Sequence, residues 1–259
     1  MWDMLHLALG MVSGALVGFT LGLVGGGGSI LAVPLMVYLV GVPSPHVAIG
    51  TSALAVAANA ASGLLQHARA GTVKWRCGGI YAVAGVAGAF AGSTLGKAID
   101  GQKLLFAFAL LMVVVGVLML RGRGNPGVPG AQCNRDNASR VMAFGLGTGA
   151  FSGFFGIGGG FLIVPGLVAS TRMPMINAVG TSLVAVTAFG LTTAFNYALS
   201  GLVDWLLAAV FIAGGVLGGL GGTVLARRLS GSGALTVVFS ALIFIVAAYT
   251  LYRSSGWTA

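Results

Sequence analysis

Long apolar stretches separated by short polar breaks follow one another along the whole chain. In the first half they cover residues 5–24, 29–41, 46–66, 77–96 and 104–120. In the second half they cover residues 141–156, 160–171, 176–198, 204–226 and 233–252. Apolar runs of about 20 residues are typical of membrane-spanning helices, whereas a membrane β-barrel would alternate apolar and polar positions. The pattern predicts an all-α integral membrane protein with about eight to ten transmembrane helices.

The composition excludes an ordinary soluble domain. Of the 259 residues, 57% are hydrophobic and 7% are charged, whereas soluble proteins carry about 25% charged residues. The net charge of +9 does not indicate a nucleic-acid partner, because the basic residues are scattered at the ends of apolar stretches. The first residues lack a basic region before their apolar run, so we expect no cleaved signal peptide. Cys77 and Cys133 lie far apart in the sequence, and we interpret them as incidental thiols.

The same pattern occurs twice in the chain. "GGGGSILAVP" at residues 25–34 aligns with "GIGGGFLIVP" at residues 156–165. Further along, and in the same order, "AIGTSALAV" aligns with "AVGTSLVAV" and "GTVKW" aligns with "GLVDW". We therefore predict one transport unit made of two membrane repeats, residues 1–120 and 141–259. A linker rich in glycine, proline and arginine joins them at residues 121–140.

An odd number of apolar stretches in each repeat predicts that the two repeats are inverted in the membrane. With both termini outside and the linker in the cytoplasm, ten of the thirteen Lys and Arg residues lie on the cytoplasmic side. Lys74 would then face the cytoplasm, and its counterpart Asp204 would lie outside. We predict a multi-pass protein of the inner (cell) membrane in this orientation. The short stretches near residues 25–34 and 156–165 form either Gly-broken half-helices or re-entrant hairpins.

Two glycine-rich breaks are the first part of a candidate ligand site. Backbone N–H groups without partners and the helix dipole make the start of a helix attractive to anions, even where no charged side chain is present. Inverted repeats would bring the two breaks from opposite faces toward the middle of the membrane. The alternative is that these glycines only permit close helix packing. The candidate residues are Gly25, Gly26, Gly27, Gly28 and Ser29 in the first break, and Gly156, Gly158, Gly159 and Gly160 in the second.

Hydroxyl and amide side chains form the second part of the candidate site. Thr51 and Ser52 recur as Thr181 and Ser182, and their hydroxyls bond either an oxyanion or the preceding turn of the helix. Amides inside apolar stretches are costly without partners, so they serve as ligand contacts or as links between helices. These amides are Asn59 and the repeat-equivalent pair Gln66 and Asn196.

Several classes of function are disfavoured by what the sequence lacks. It contains no glutamate, and its aspartates lie at segment ends or in loops, so we expect no carboxylate-based cation transport or proton relay. There is no ATP-binding motif and no cluster of metal ligands, so we expect neither an enzyme nor a cofactor nor a bound metal. We interpret His67 as a solvated side chain at the membrane surface.

The repeated motifs resemble the TauE/SafE sulfite exporter family, also called the 4-toluene sulfonate uptake permease family. The segments that carry the resemblance are "GLVGGGGSILAVPLM", "HVAIGTSALAV", "HARAGTVKW", "GFFGIGGGFLIVPGL", "NAVGTSLVAV" and "SGLVDW", which together cover both repeats. The resemblance implies a secondary transporter of sulfite, sulfoacetate, other organosulfonates or related sulfur oxyanions. Lys74 departs from the family, which often has an acidic residue at that position, as Asp204 does here.

These features together predict a secondary transporter, with export as the expected direction, of small sulfur-containing anions. Alternating access would expose a substrate bound between the two breaks. Transport would be coupled to protons, carried on the substrate itself, or to the membrane potential. Two alternatives stay open, namely an anion channel and a membrane accessory or assembly subunit without transport. The oligomeric state stays open as well.

Overall fold

The computed structural model describes residues 3–121, 128, 130–131, 133–156, 160–229, 241 and 244–252. Every regular element in these residues is helical, and six helices are long and apolar enough to cross a membrane. The prediction of an all-α, multi-pass membrane protein is confirmed. The helices are α1 (Met4–Val24), α2 (Ala32–Pro34), α3 (Pro45–Arg69), α4 (Trp75–Lys97), α5 (Gly101–Arg121), α6 (Arg135–Phe155), α7 (Gly160–Thr171), α8 (Met175–Ala198), α9 (Trp205–Leu229) and α10 (residues 244–252).

The chain turns back on itself at the four consecutive glycines that follow α1. Gly25–Leu31 is a 3₁₀ helix, which continues through α2 into a π-helix at Leu35–Leu39; we call residues 25–39 the return segment. A Cβ atom on Gly28 would overlap the backbone of Thr20 and Leu21. Only glycine permits so close an approach of two backbones. The first break is therefore a hairpin, one of the two arrangements that the sequence left open.

The second glycine-rich break begins at Gly156, which ends helix α6. Gly156 follows α6 with a φ angle of 67°, a left-handed conformation that ends a helix. Residues 157–159, which include the candidates Gly158 and Gly159, lie outside the described residues. Helix α7 starts at Gly160 and has 12 residues, which at 1.5 Å per residue reach about 18 Å, short of the roughly 30 Å hydrocarbon core of a bilayer.

Six helices form two bundles of parallel helices. Bundle A contains α1, α3 and α9, and bundle B contains α4, α6 and α8. Glycines at four-residue intervals bring the backbones of the partner helices together, as small residues do in membrane proteins. The contacts run in step along the partners: Gly14 with Phe211, Gly18 with Gly215 and Gly22 with Gly219 in bundle A, and Gly145 with Tyr81, Gly149 with Gly85 and Gly153 with Ala89 in bundle B.

Helices α3 and α8 form the contact between the two bundles. Gly63 contacts Leu183, whereas Gly190 contacts Ala53, so α3 and α8 run antiparallel. Bundles A and B therefore run in opposite directions. In both α3 and α8, 67% of the most apolar 18-residue stretch is buried inside the protein. The same share is 39–44% in the other four long apolar helices. The centre of the molecule is thus this antiparallel pair.

Cys77 and Cys133 form a disulfide that attaches the linker to the first turn of α4. The interpretation of these residues as incidental thiols is wrong. The two cysteines are 56 residues apart, so no local spacing signals the pair, yet the fold brings their Cα atoms to 5.3 Å. In the oxidised protein, closing a loop of this length restricts the unfolded chain and stabilises the fold by about 4 kcal/mol.

Candidate functional site

The repeated threonines hold the helix starts of the other repeat. Thr51 Oγ1 accepts a hydrogen bond from the backbone N–H of Asp204, and Thr181 Oγ1 accepts one from the backbone N–H of Lys74, both at 2.9 Å. Asp204 precedes α9 and Lys74 precedes α4. Each bond therefore joins two helices of one bundle. Neither hydroxyl hydrogen has an acceptor within the described part of the chain, so each threonine can still donate to an oxyanion.

The neighbouring serines behave differently. Ser52 Oγ donates to the Ile49 carbonyl at 3.0 Å, and Ser182 Oγ donates to the Val179 carbonyl at 2.8 Å. These are bonds to the preceding turn of the same helix, the simpler of the two roles that the sequence left open. Both serines are fully buried.

The two threonines lie at opposite ends of the α3–α8 pair. Gly50, beside Thr51, contacts Tyr197 near the end of α8, and Gly180, beside Thr181, contacts His67 near the end of α3. A helical rise of 1.5 Å per residue over positions 51–67 separates the two ends by about 24 Å. A single small anion cannot contact both in this conformation. The candidate residues thus divide into an α3-start half-site, with Thr51 and Asn196, and an α8-start half-site, with Thr181 and Gln66.

Each glycine-rich break lies beside the hydroxyls of the other repeat. A Cβ atom on Gly156 would overlap the side chain of Ile49, two residues before Thr51. The 3₁₀ helix Gly25–Leu31 contacts α7 and α8, and it follows the end of α1, which is parallel to α3. This break, with the buried Ser29, therefore belongs to the α8-start half-site. Its 3₁₀ bonds engage backbone N–H groups within the segment, so it offers fewer free donors than an irregular break.

A polar cluster surrounds Asn196 at the α3-start half-site. Its amide Nδ2 donates to Ser93 Oγ at 2.6 Å and to Thr94 Oγ1 at 3.0 Å. Lys97 Nζ donates to Asn196 Oδ1 at 2.9 Å, to the Asn196 carbonyl at 3.0 Å and to Ser200 Oγ at 2.9 Å. A cation on the last carbonyls of a helix stabilises that end. Lys97 therefore caps α8, and Asn196 links α8 to α4.

Lys97 was not among the candidate site residues predicted from the sequence. The repeat alignment contained the signal, because the register that pairs Thr51 with Thr181 also pairs Lys97 with Arg227 and Gln66 with Asn196. A cation and an amide thus recur at corresponding positions. Gln66 itself is half-buried near the end of α3.

His67 is buried at the α8-start half-site, so its interpretation as a solvated residue is wrong. It is 6% exposed, and its ring Nδ1 lies 2.9 Å from Thr72 Oγ1. The Thr72 hydroxyl also lies 3.1 Å from the His67 carbonyl, to which it donates, so two contacts join these residues. Asn177 Nδ2 donates to the Thr72 carbonyl at 2.9 Å. These bonds tie the loop after α3 to the start of α8.

Asn59 lies between the two half-sites, near the middle of α3. It is 5% exposed, and neither its amide nitrogen nor its amide oxygen has a hydrogen-bond partner among the described residues. A Cβ atom on Gly215 of α9 would overlap this amide, so the glycine makes room for it. Asn59 and Thr51 both face α9, two helical turns apart. Within the same residues, no group of three or more His, Cys, Asp or Glu side chains could hold a metal ion.

Known proteins with similar sequences are described as probable membrane transporters. A family model described as "Sulfite exporter TauE/SafE" matches residues 10–250. A probable membrane transporter protein of Xylella fastidiosa (strain 9a5c) is 56% identical over 244 residues, which cover 93% of this chain and 94% of the relative. The probable membrane transporter protein YunE of Bacillus subtilis (strain 168) is 28% identical over 262 residues, covering 92% and 94%. No solved structure matches the chain.

Proposed function

Because the chain belongs to the TauE/SafE family of membrane transporters, we propose that it carries small sulfur-containing oxyanions, such as sulfite or organosulfonates, out of the cell by alternating access. The description of the family model supports the substrate class. The candidate half-sites support it as well, because each contains a neutral threonine hydroxyl whose hydrogen can be donated to an oxyanion.

The reciprocal bonds Thr51–Asp204 and Thr181–Lys74 carry the proposal. Thr51 in the first repeat and its counterpart Thr181 in the second each bind the residue that precedes a helix of the other repeat. The two bonds lie at opposite ends of the α3–α8 pair. The helices that correspond in the two repeats also belong to bundles of opposite direction, which supports inverted repeats. Inverted repeats provide a transporter with two equivalent gates, one toward each side of the membrane. We assign the two half-sites to these gates.

We place the moving contact between bundles A and B, not between the two sequence repeats. Bundle A takes α1 and α3 from the first repeat and α9 from the second, and bundle B is mixed in the same way. Glycine contacts between backbones hold each bundle together, so the repeats cannot separate as units. The α3–α8 contact is lined by small residues, such as Ala53, Ala57 and Gly190. Sliding or rocking at this contact would open one half-site at a time.

The proposed orientation has both termini outside the inner membrane and the linker in the cytoplasm. Ten of the thirteen basic residues support it. No aspartate lies within the middle of a helix in the described residues, since Asp3, Asp100, Asp136 and Asp204 all lie at helix starts. We therefore propose that any proton crosses on the substrate, and that the membrane potential is the other candidate for coupling.

The decisive test is uphill flux through the purified protein in liposomes. Sulfite is placed at equal concentration on both sides, the potential is clamped at zero, and a pH gradient is imposed. We expect sulfite to accumulate on one side, and a second series with an imposed potential and no pH gradient tests the other coupling. A channel for hydrogen sulfite would follow the same pH gradient, so a third series preloads the liposomes with unlabelled sulfite and adds labelled sulfite outside. A transporter shows transient uphill counterflow of the label and a channel does not, whereas an accessory subunit shows the flux of protein-free liposomes. Either of the last two outcomes would refute the proposal.

A further inference from the structure

The two buried asparagines of the described helices have opposite hydrogen-bonding states. The Asn196 amide donates to Ser93 and Thr94 and accepts from Lys97. The Asn59 amide has no partner at its nitrogen or its oxygen, although the residue is only 5% exposed. An amide that gives up water without gaining a partner destabilises the fold. Asn196 therefore has a structural explanation, and Asn59 has none.

The equivalent position of the second repeat shows that the fold does not need an amide there. In the alignment of the two repeats that pairs Thr51 with Thr181, Asn59 corresponds to Phe189 and Gly215 corresponds to Gly85. A Cβ atom on Gly85 would overlap the Phe189 ring, as one on Gly215 would overlap the Asn59 amide. Phe189 also stacks on Tyr81 at 6.4 Å between ring centroids. An apolar side chain thus fills the same niche in bundle B, so the amide in bundle A serves another purpose.

We infer that Asn59 is the specificity-determining residue that contacts the oxyanion as it passes between the two half-sites, and that it favours singly charged oxyanions over doubly charged ones. This inference rests on the proposed function. The amide offers two N–H donors to an anion oxygen and one acceptor to an O–H group of a protonated anion. Asn59 lies near the middle of α3, between the end of the α3–α8 pair that contains Thr51 and the end that contains Thr181.

Charge selection follows from the neutrality of this niche. Within the described residues, every Lys and Arg lies in a loop or within two turns of a helix end, so no cation of these residues accompanies Asn59 at its depth. A doubly charged oxyanion would lose its water there without gaining a counter-charge. A singly charged anion such as hydrogen sulfite loses less hydration and can use both ends of the amide. Sulfite would therefore be carried in its protonated form, and sulfate would be excluded.

The test compares sulfite flux and thermal stability for the full-length protein and three variants in the same liposomes. Asn59→Leu fills the niche with an apolar side chain of similar size, and Asn59→Asp keeps the shape but removes the N–H donors. We expect both to lower sulfite flux at least about tenfold, the effect of one lost hydrogen bond to a charged group. Asn59→Leu should keep or raise the Tm. Asn196→Leu, the matched control for a bonded amide, should lower the Tm.

Three results would overturn the inference and leave the proposed function standing. They are wild-type flux in Asn59→Leu, a fall in the Tm of Asn59→Leu as large as that of Asn196→Leu, and inhibition of wild-type flux by excess sulfate as strong as that by unlabelled sulfite. A wild-type protein that carries no sulfite at pH 6 or pH 8, values on either side of neutrality, overturns the proposed function itself, and the inference falls with it.

Discussion

The Thr51 side chain accepts the backbone N–H of Asp204, a residue 153 positions away, at 2.9 Å. Threonines inside helices usually donate to the preceding turn, as Thr187 does to the Leu183 carbonyl at 2.8 Å. Thr51 is used as an acceptor from another helix instead, and Thr181 repeats this arrangement with Lys74. The two bonds form only when both repeats are folded together, so they are a signature of the complete molecule.

Replacing Thr51 with valine should destabilise the protein. Valine keeps the shape of threonine but leaves the Asp204 N–H without its acceptor, which costs about 1–2 kcal/mol. We expect a lower Tm in detergent for Thr51→Val and for Thr181→Val. The two sites are far apart, so the losses should add in the double variant. Thr51→Ser retains the acceptor oxygen and should lose less; a Tm for Thr51→Val equal to that of the wild type would contradict the bond.

Two glycines of α6 should respond in opposite ways to the same substitution. A Cβ atom on Gly149 would overlap the Gly85 carbonyl of α4, whereas one on Gly147 would meet no atom within 4 Å. Gly149→Ala should therefore push α6 away from α4 and cost about 1–3 kcal/mol. Gly147→Ala places a better helix former on an open face and should stabilise by up to about 1 kcal/mol. Thermal unfolding of the two variants side by side measures the difference, and equal Tm values would argue against this helix contact.

The long helices and the family were predictable because they depend on local signals. Hydrophobic stretches of helical length define α1, α3, α4, α5, α8 and α9, and the paired motifs around Gly25 and Gly156 identify the duplication. The partners of the glycines were not predictable. The chain has 45 glycines, and only the fold determines that Gly18 contacts Gly215.

The division of the candidate site into two ends was also missed, although the sequence contained a sign of it. Thr51 and Thr181 both lie about two turns after the start of their helices. In inverted repeats, corresponding helices start at opposite faces, so equivalent residues near a helix start must lie far apart. A single site containing both threonines would need them near the middle of their helices. Asn59, close to the midpoint of α3 (Pro45–Arg69), is the candidate that meets this condition.

The oxidation state of Cys77 and Cys133 should report the orientation of the protein. The proposed orientation places the linker in the cytoplasm, where thiols are kept reduced. The structure shows the pair bonded, the state that we expect in oxidised, purified protein. When cells are lysed directly into denaturant that contains a maleimide, we expect both cysteines to react, because the cytoplasm keeps the pair reduced. Cys77→Ser/Cys133→Ser serves as the unlabelled control. A pair that is already oxidised in the cell would place this face outside and reverse the orientation.

Cross-links at two neighbouring positions of α8 should separate motion between bundles from motion within a bundle. Gly63→Cys with Leu183→Cys joins α3 to α8 across the two bundles, because a Cβ atom on Gly63 would lie 3.5 Å from Leu183 Cδ1. Gly78→Cys with Val184→Cys joins α4 to α8 inside bundle B, because a Cβ atom on Gly78 would lie 3.2 Å from the Cβ of Val184. Both pairs are made in the Cys77→Ser/Cys133→Ser background and closed with a short thiol-specific reagent.

If the bundles move against each other, the cross-link between Cys substitutions at 63 and 183 should abolish uphill sulfite flux, and the one at 78 and 184 should leave it close to that of the untreated protein. Cleaving the link with a reductant should restore the flux of the first pair, which excludes damage by the substitutions. Motion of one sequence repeat against the other makes a different prediction. Positions 78 and 184 belong to different repeats, so their cross-link would also block transport, and that result would place the moving contact between the repeats.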